Sequence, residues 1–101
     1  MDNRIDQIIE QLKDVYDPEI PVNIYDLGLI YNVDIDEKNK ANIIMTLTAP
    51  GCPVADMLVE DTRQAALAVE GVEDADVELT FDPPWDKSMM SEEARLELGF
   101  F

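Results

Sequence analysis

The stretch Leu29-Ile30-Tyr31-Asn32-Val33-Asp34-Ile35, followed by the polar residues Asp36 to Lys40 and then by Ala41-Asn42-Ile43-Ile44-Met45-Thr46-Leu47-Thr48, decides the fold. Leu29, Tyr31, Val33 and Ile35 alternate with Asn32, Asp34 and Asp36, the two-residue period of a strand with one buried face. The second run, about Ala41 to Thr48, repeats the pattern with Ile43, Met45 and Leu47 on one side. Five polar residues between two such runs predict a hairpin.

Beyond Thr48, Ala49-Pro50-Gly51-Cys52-Pro53 breaks the strand and opens a helix over about Pro53 to Glu70. Pro53 suits the first helical position and Gly71 the position past the end. Val54, Met57, Leu58, Ala65, Ala68 and Val69 form its expected inner face. Val77, Leu79 and Phe81 then alternate with Glu78, Thr80 and Asp82, a third strand closed by Pro83-Pro84. A crossover helix between the second and third strands makes that pair parallel. On the N-terminal side, Ile5, Ile8, Ile9, Leu12, Val15 and Tyr16 recur at helical spacing. Asp2 or Asn3 is placed to cap that helix and Asp17-Pro18 to stop it. At the other end, Ser88 or Ser91 can cap a short helix that Gly99 terminates. The order is α-β-β-α-β plus a short C-terminal helix. A small three-stranded mixed sheet with one apolar face needs helices over that face, so the fold class is α/β, an α+β two-layer sandwich. With 101 residues, the chain is expected to form one domain over 1–101.

Composition excludes more than it selects. Seven Lys+Arg against 23 Asp+Glu give a net charge of −16, which repels nucleic acid and anionic membrane surfaces. With no histidine, the chain cannot build a Ser-His-Asp or Cys-His centre or a His-containing zinc site. Its single cysteine, Cys52, cannot staple the fold or supply a four-thiolate site alone. The acidic N-terminus does not resemble a signal peptide, and no apolar run approaches a membrane span. The expected compartment is reducing and cytoplasmic.

Cys52 is the leading candidate for chemistry. It sits at a strand-to-helix turn, in or beside the cap position, where free amides and the helix dipole favour a thiolate. The plainer role is a small apolar residue closing the helix top. Thr48, four residues earlier, could reach the sulfur, although a strand-terminal Thr needs no functional reason. Asp17, Glu19 and Asp26 lie in an irregular segment that could bring carboxylates towards Cys52, and turn chemistry is their plainer role. Gly28 reads as a backbone requirement. Trp85, Met89, Met90, Phe100 and Phe101 either complete the core or form a docking patch, and core completion fits a domain this small. A thiol enzyme lacks an activating group: Arg63 would lie roughly 16 Å down the helix axis from Cys52.

Three motifs, Asp17-Pro18-Glu19-Ile20-Pro21-Val22, Tyr25-Asp26-Leu27-Gly28-Leu29-Ile30 and Leu47-Thr48-Ala49-Pro50-Gly51-Cys52-Pro53, together resemble the metal–sulfur (iron–sulfur) cluster assembly family of SufT-like and PaaD-like proteins. The run from Phe81 to Trp85 and on to Gly99 is similar to it as well. The resemblance implies an iron–sulfur cluster assembly-type domain and a role as an accessory or carrier factor in iron–sulfur protein maturation, not an enzyme. Its motif residues fall on Cys52, Thr48, Asp17, Glu19 and Asp26, with Cys52 as the metal ligand. One thiolate cannot complete the four-ligand shell of a cluster. The implied cofactor is therefore a labile iron–sulfur cluster shared between subunits of a homodimer or with a partner, and otherwise none. Implied partners are iron–sulfur assembly proteins and client apoproteins, with no nucleic acid and no membrane. The alternative is a protein-interaction adaptor, or an accessory protein of a multicomponent oxygenase, with no cluster bound.

Overall fold

The structure, a computed structural model, describes residues 3–16, 20–48 and 55–99. Helix α1 (Arg4–Leu12) leads into strands β1 (Ile30–Ile35) and β2 (Lys40–Met45), helix α2 (Ala55–Leu67), strand β3 (Asp74–Leu79) and helix α3 (Glu92–Leu98). The sheet order is β1-β2-β3, with β1 antiparallel and β3 parallel to β2. This is the mixed α+β sheet that the alternation and the crossover helix predicted.

The core lies on one face of this sheet. Ala41, Ile43 and Met45 of β2 are buried, while Asn42 and Ile44 between them are not. Helices α1 and α2 pack on each other, on β1 and on β3 respectively, and close that face with Ile8, Leu12, Leu58 and Ala66. Among the described residues no helix is long and apolar enough to cross a membrane.

Several features of the first three elements depart from the periodicity. Helix α1 stops at Leu12, short of Val15 and Tyr16. The Val15 carbonyl instead accepts from the Ile24 amide at 2.8 Å, and Tyr16 bridges Asn23, leaving its ring exposed. Extended pairing has taken the backbone groups that another helical turn would have used. The Asn3 side chain makes no cap bond, and Asp2, Asp17 and Pro18 lie outside the described residues. In β1 a bulge between Ile30 and Asn32 shifts the register, so Ile30, Val33 and Ile35 pack on the core. Tyr31 instead sends its hydroxyl to the Pro83 carbonyl at 2.8 Å. Strand β2 ends at Met45, yet Thr46 and Leu47 remain buried, with the Thr46 amide donating to the Leu29 carbonyl at 2.8 Å.

Of the inner face expected for α2, Leu58 and Val69 are buried and Ala65 packs against the core, but the buried stripe of the helix runs from Leu58 through Thr62 and Ala66, which the periodicity did not name. Met57 is exposed, Ala68 lies past the helix end and is exposed, and Pro53 and Val54 lie outside the described residues. Steps of four residues keep the stripe on one face. Thr62 is tolerated there because its hydroxyl donates to the Leu58 carbonyl at 2.7 Å, so its burial leaves no polar group unpaired.

The C-terminal segment folds as its signals require. Ser91 caps α3 by accepting from the Ala94 amide, and Gly99 ends it in the left-handed conformation. Met90 and Ala94 are buried, so this segment completes the core. Phe81 ends up beyond β3 and partly exposed. Phe100 and Phe101 lie outside the described residues.

Candidate functional site

The turns from Ile24 to Gly28 and the C-terminal segment are bolted together, and the site forms where they meet the end of β2. The Trp85 indole donates to the Leu27 carbonyl at 2.7 Å, and the Ser91 amide donates to the Asp26 carbonyl at 2.8 Å. Between these anchors Gly28 meets the Met89 backbone so closely that a side chain would collide with it.

A cleft of about 310 Å³ opens beside this junction, lined by Ile20, Pro21, Leu27, Thr48, Trp85, Lys87, Met90 and Leu98. Thr48 is half-buried at its wall. Thr48, Lys87 and Trp85 bring the polar side-chain groups to this lining, and the other lining side chains are apolar. Such a volume falls at the lower end of the range for small-ligand and anchor pockets. Lys87 starts a short 3₁₀ turn (Lys87–Met89) capped by Asp86. The Ser88 hydroxyl, at 2.6 Å, and then the Ser88 amide hold the Asp86 carboxyl below its ordinary value.

Asp26 faces elsewhere. Its carboxylate accepts from the Asn23 side-chain amide at 2.8 Å, while its own amide donates to Asn23 Oδ1 at 2.9 Å. This reciprocal pair folds the turn. Asp26 lines a smaller hollow of about 160 Å³ with Tyr16, Asn23, Glu93 and Glu97, and Pro21 borders both hollows. Thr48 and Asp26 thus line different hollows and do not share a cavity. Cys52, Asp17 and Glu19 lie outside the described residues. In the sequence, Cys52 follows Thr48 by four residues, and Glu19 precedes the lining residue Ile20. Among the described residues no three His, Cys, Asp or Glu side chains gather as a metal-binding group.

Sequence reasoning named Thr48 but missed the cleft itself. Trp85 and Met90 were expected in the core without a place beside Thr48. The signal was there in the Leu27-Gly28 step: a glycine required by the backbone marks where another segment comes close.

With this geometry in place, comparison with known proteins is decisive. A family model described as iron–sulfur cluster assembly protein matches residues 5–79. The chain belongs to this family. Among its relatives, the Fe–S protein maturation auxiliary factor of Porphyromonas gingivalis is 57% identical over 95 residues, covering 94% of this chain and 90% of that protein. The Fe–S protein maturation auxiliary factor YitW of Bacillus subtilis is 40% identical, covering 93% and 92%. A crystal structure of a domain of unknown function (DUF59) from Bacillus anthracis superposes with a TM-score of 0.89 at 38% identity, covering 97% of this chain and 93% of that one. The family match stops at Leu79, so Trp85, Met90 and Leu98 of the cleft lie beyond it.

Proposed function

We propose that this chain, as one domain over 1–101, is an auxiliary factor in the maturation of iron–sulfur proteins and has no catalytic reaction of its own. The observation that carries the reading is the 57% identity, along nearly the full length of both chains, to a relative named for that role. Its partners are assembly proteins and client apoproteins, in a reducing, cytoplasmic setting where a lone thiol stays free.

In its finer form the reading makes Cys52 the ligand through which a labile iron–sulfur cluster passes as cargo. Clusters are held by thiolates, and Cys52 is the only one this chain has. Three further ligands must come from a second copy, from small thiols or from the receiving protein. That shortage suits a carrier, because an under-liganded cluster leaves easily. Thr48 supports the same reading, since it lines an apolar cleft and comes four residues before the thiol in the chain. Asp17, Glu19 and Asp26 are proposed as the surrounding carboxylates. Asp26, already committed to Asn23, would act by holding the turn.

Anaerobic reconstitution with iron and sulfide, read by absorption and by sizing, tests this on wild type and Cys52→Ser together. A chromophore on a dimer, lost in Cys52→Ser while the far-UV circular dichroism is unchanged, is the expected result. A folded wild type that takes up no chromophore would remove the carrier role. If a Cys52→Ser strain also matured its clients normally, the cysteine would have no part in the function.

A further inference from the structure

Strand β3 is the last strand of the sheet, and among the described residues its outer edge is covered only at one end. The Thr80 amide donates inward to the Met45 carbonyl at 2.9 Å. The Ala75 amide does not point to β2; it is taken by the Asp74 carboxylate at 2.8 Å, and Arg63 reaches the same carboxylate at 4.0 Å. Strand amides alternate in direction, so those of Val77 and Leu79 share the outward set with Ala75. Among the described residues no side chain caps them as Asp74 caps Ala75.

The two faces at this edge are unfinished in different ways. On the helix side, Ile43 and Met45 of β2 are fully buried, but their register partners Val77 and Leu79 stay half-exposed. On the open side, Glu78 is exposed and has no ion-pair partner among the described residues, whereas Asp76 is held by Lys40 at 2.7 Å. Around them a shallow groove of about 460 Å³ runs along Asn42, Ile44, Asp76 and Glu78. An added strand would set its alternate side chains beside these two rows, one calling for apolar residues and the other for cations.

The opposite edge is a poorer template. Strand β1 carries the Ile30/Asn32 bulge, and bulges twist an edge away from pairing. Strand β3 keeps an unbroken register from Asp74 to Leu79. A second copy of this chain is a poor occupant as well. Pairing β3 with itself would place acidic rows side by side between molecules that each carry −16.

We propose that the free edge of β3 at Val77–Leu79 is a strand-addition site for an extended segment of a partner protein in which basic and apolar residues alternate. Main-chain bonds to Val77 and Leu79 hold the segment. Its apolar side chains cover those two residues, and a lysine or arginine lies against Glu78. This proposal is independent of Cys52 and of any cluster.

The probe is a capped hexapeptide of alternating lysine and valine, titrated into the full chain at low salt and followed by amide NMR. Binding should shift and protect from exchange the Val77 and Leu79 amides, and the glutamate–valine counterpart should not bind. Two forms of the peptide, N-methylated at one or the other alternate set of amides, should differ, because an added strand uses only one set. Glu78→Lys should weaken binding about tenfold while leaving the folded spectrum intact. Equal binding of both methylated forms would reduce the effect to adsorption on an acidic surface and overturn the proposal. No binding of the lysine–valine peptide would overturn it too.

Discussion

At Gly28 the backbone sits at φ +82°, and a Cβ built there would collide with the Met89 carbonyl oxygen. Two costs therefore add for any other residue. The left-handed conformation alone costs an alanine about 1 to 2 kcal/mol, and separating two packed backbones costs about 1 to 3 kcal/mol more. Gly28→Ala should accordingly lose roughly 3 kcal/mol in urea unfolding. The more telling readout is Trp85, the chain's single tryptophan. Pushing Met89 away strains the bond from its indole to the Leu27 carbonyl, so its fluorescence should shift even in the folded variant. A variant as stable as wild type with an unchanged Trp85 spectrum would mean that the junction tolerates movement and does not fix the cleft.

The hairpin between β1 and β2 is held by one carboxylate. Asp36 Oδ1 accepts from the amides of Lys38 at 2.9 Å and Lys40 at 3.1 Å, and Asn39 takes φ 63° within the turn. The Lys40 amide first, then that of Lys38, lowers the Asp36 pKa from its ordinary 3.8. A lowered folded-state pKa contributes stability that is present above 3.8 and is lost as pH falls through the lower folded value. Asp36→Asn should thus be less stable than wild type at pH 7, with the gap closing as the solution is acidified below that value. Paired thermal melts across pH check this, and a gap independent of pH would mean that the charge contributes nothing. Elements built on such local chemistry were legible in the sequence: the hairpin, the Ser91 cap and the Gly99 stop needed no knowledge of distant contacts. Tyr16 and Tyr31 were misread because partners outside their own elements, Asn23 and Pro83, claimed them. On α2, Leu58 was read correctly, but Thr62 was missed because it looks polar until its bond to Leu58 is known. The site divided in the same way. Thr48 could be named from its motif, but the cleft beside it depends on Trp85, 37 positions later in the chain.

Across the whole molecule, 23 acidic side chains confront seven basic ones, so most charge pairs repel. Among the described residues the attractive exceptions lie at or near the surface, such as Lys40 with Asp76, Arg63 with Glu60 and Asp74, and Lys13 with Glu10. Pairs of this kind contribute about 0 to 1 kcal/mol each. Salt screens attraction and repulsion alike once charges lie beyond a Debye length of about 10 Å at 0.1 M. Close pairs keep part of their attraction, while the more numerous, widely spaced repulsions fade, so the sign of the salt effect is set by repulsion. Raising sodium chloride from about 0.02 M to about 0.5 M at pH 7 should raise the melting temperature. A gain of 1 kcal/mol corresponds to roughly 4 °C or more in a chain of this size. Scanning calorimetry at several salt concentrations gives the measurement, and a flat or falling melting temperature would show that the few ion pairs outweigh the net charge. The same surface should respond in the opposite direction when a basic segment binds at β3, since screening removes an attraction there. Salt that stabilises the free chain and weakens peptide binding would trace both effects to one acidic field.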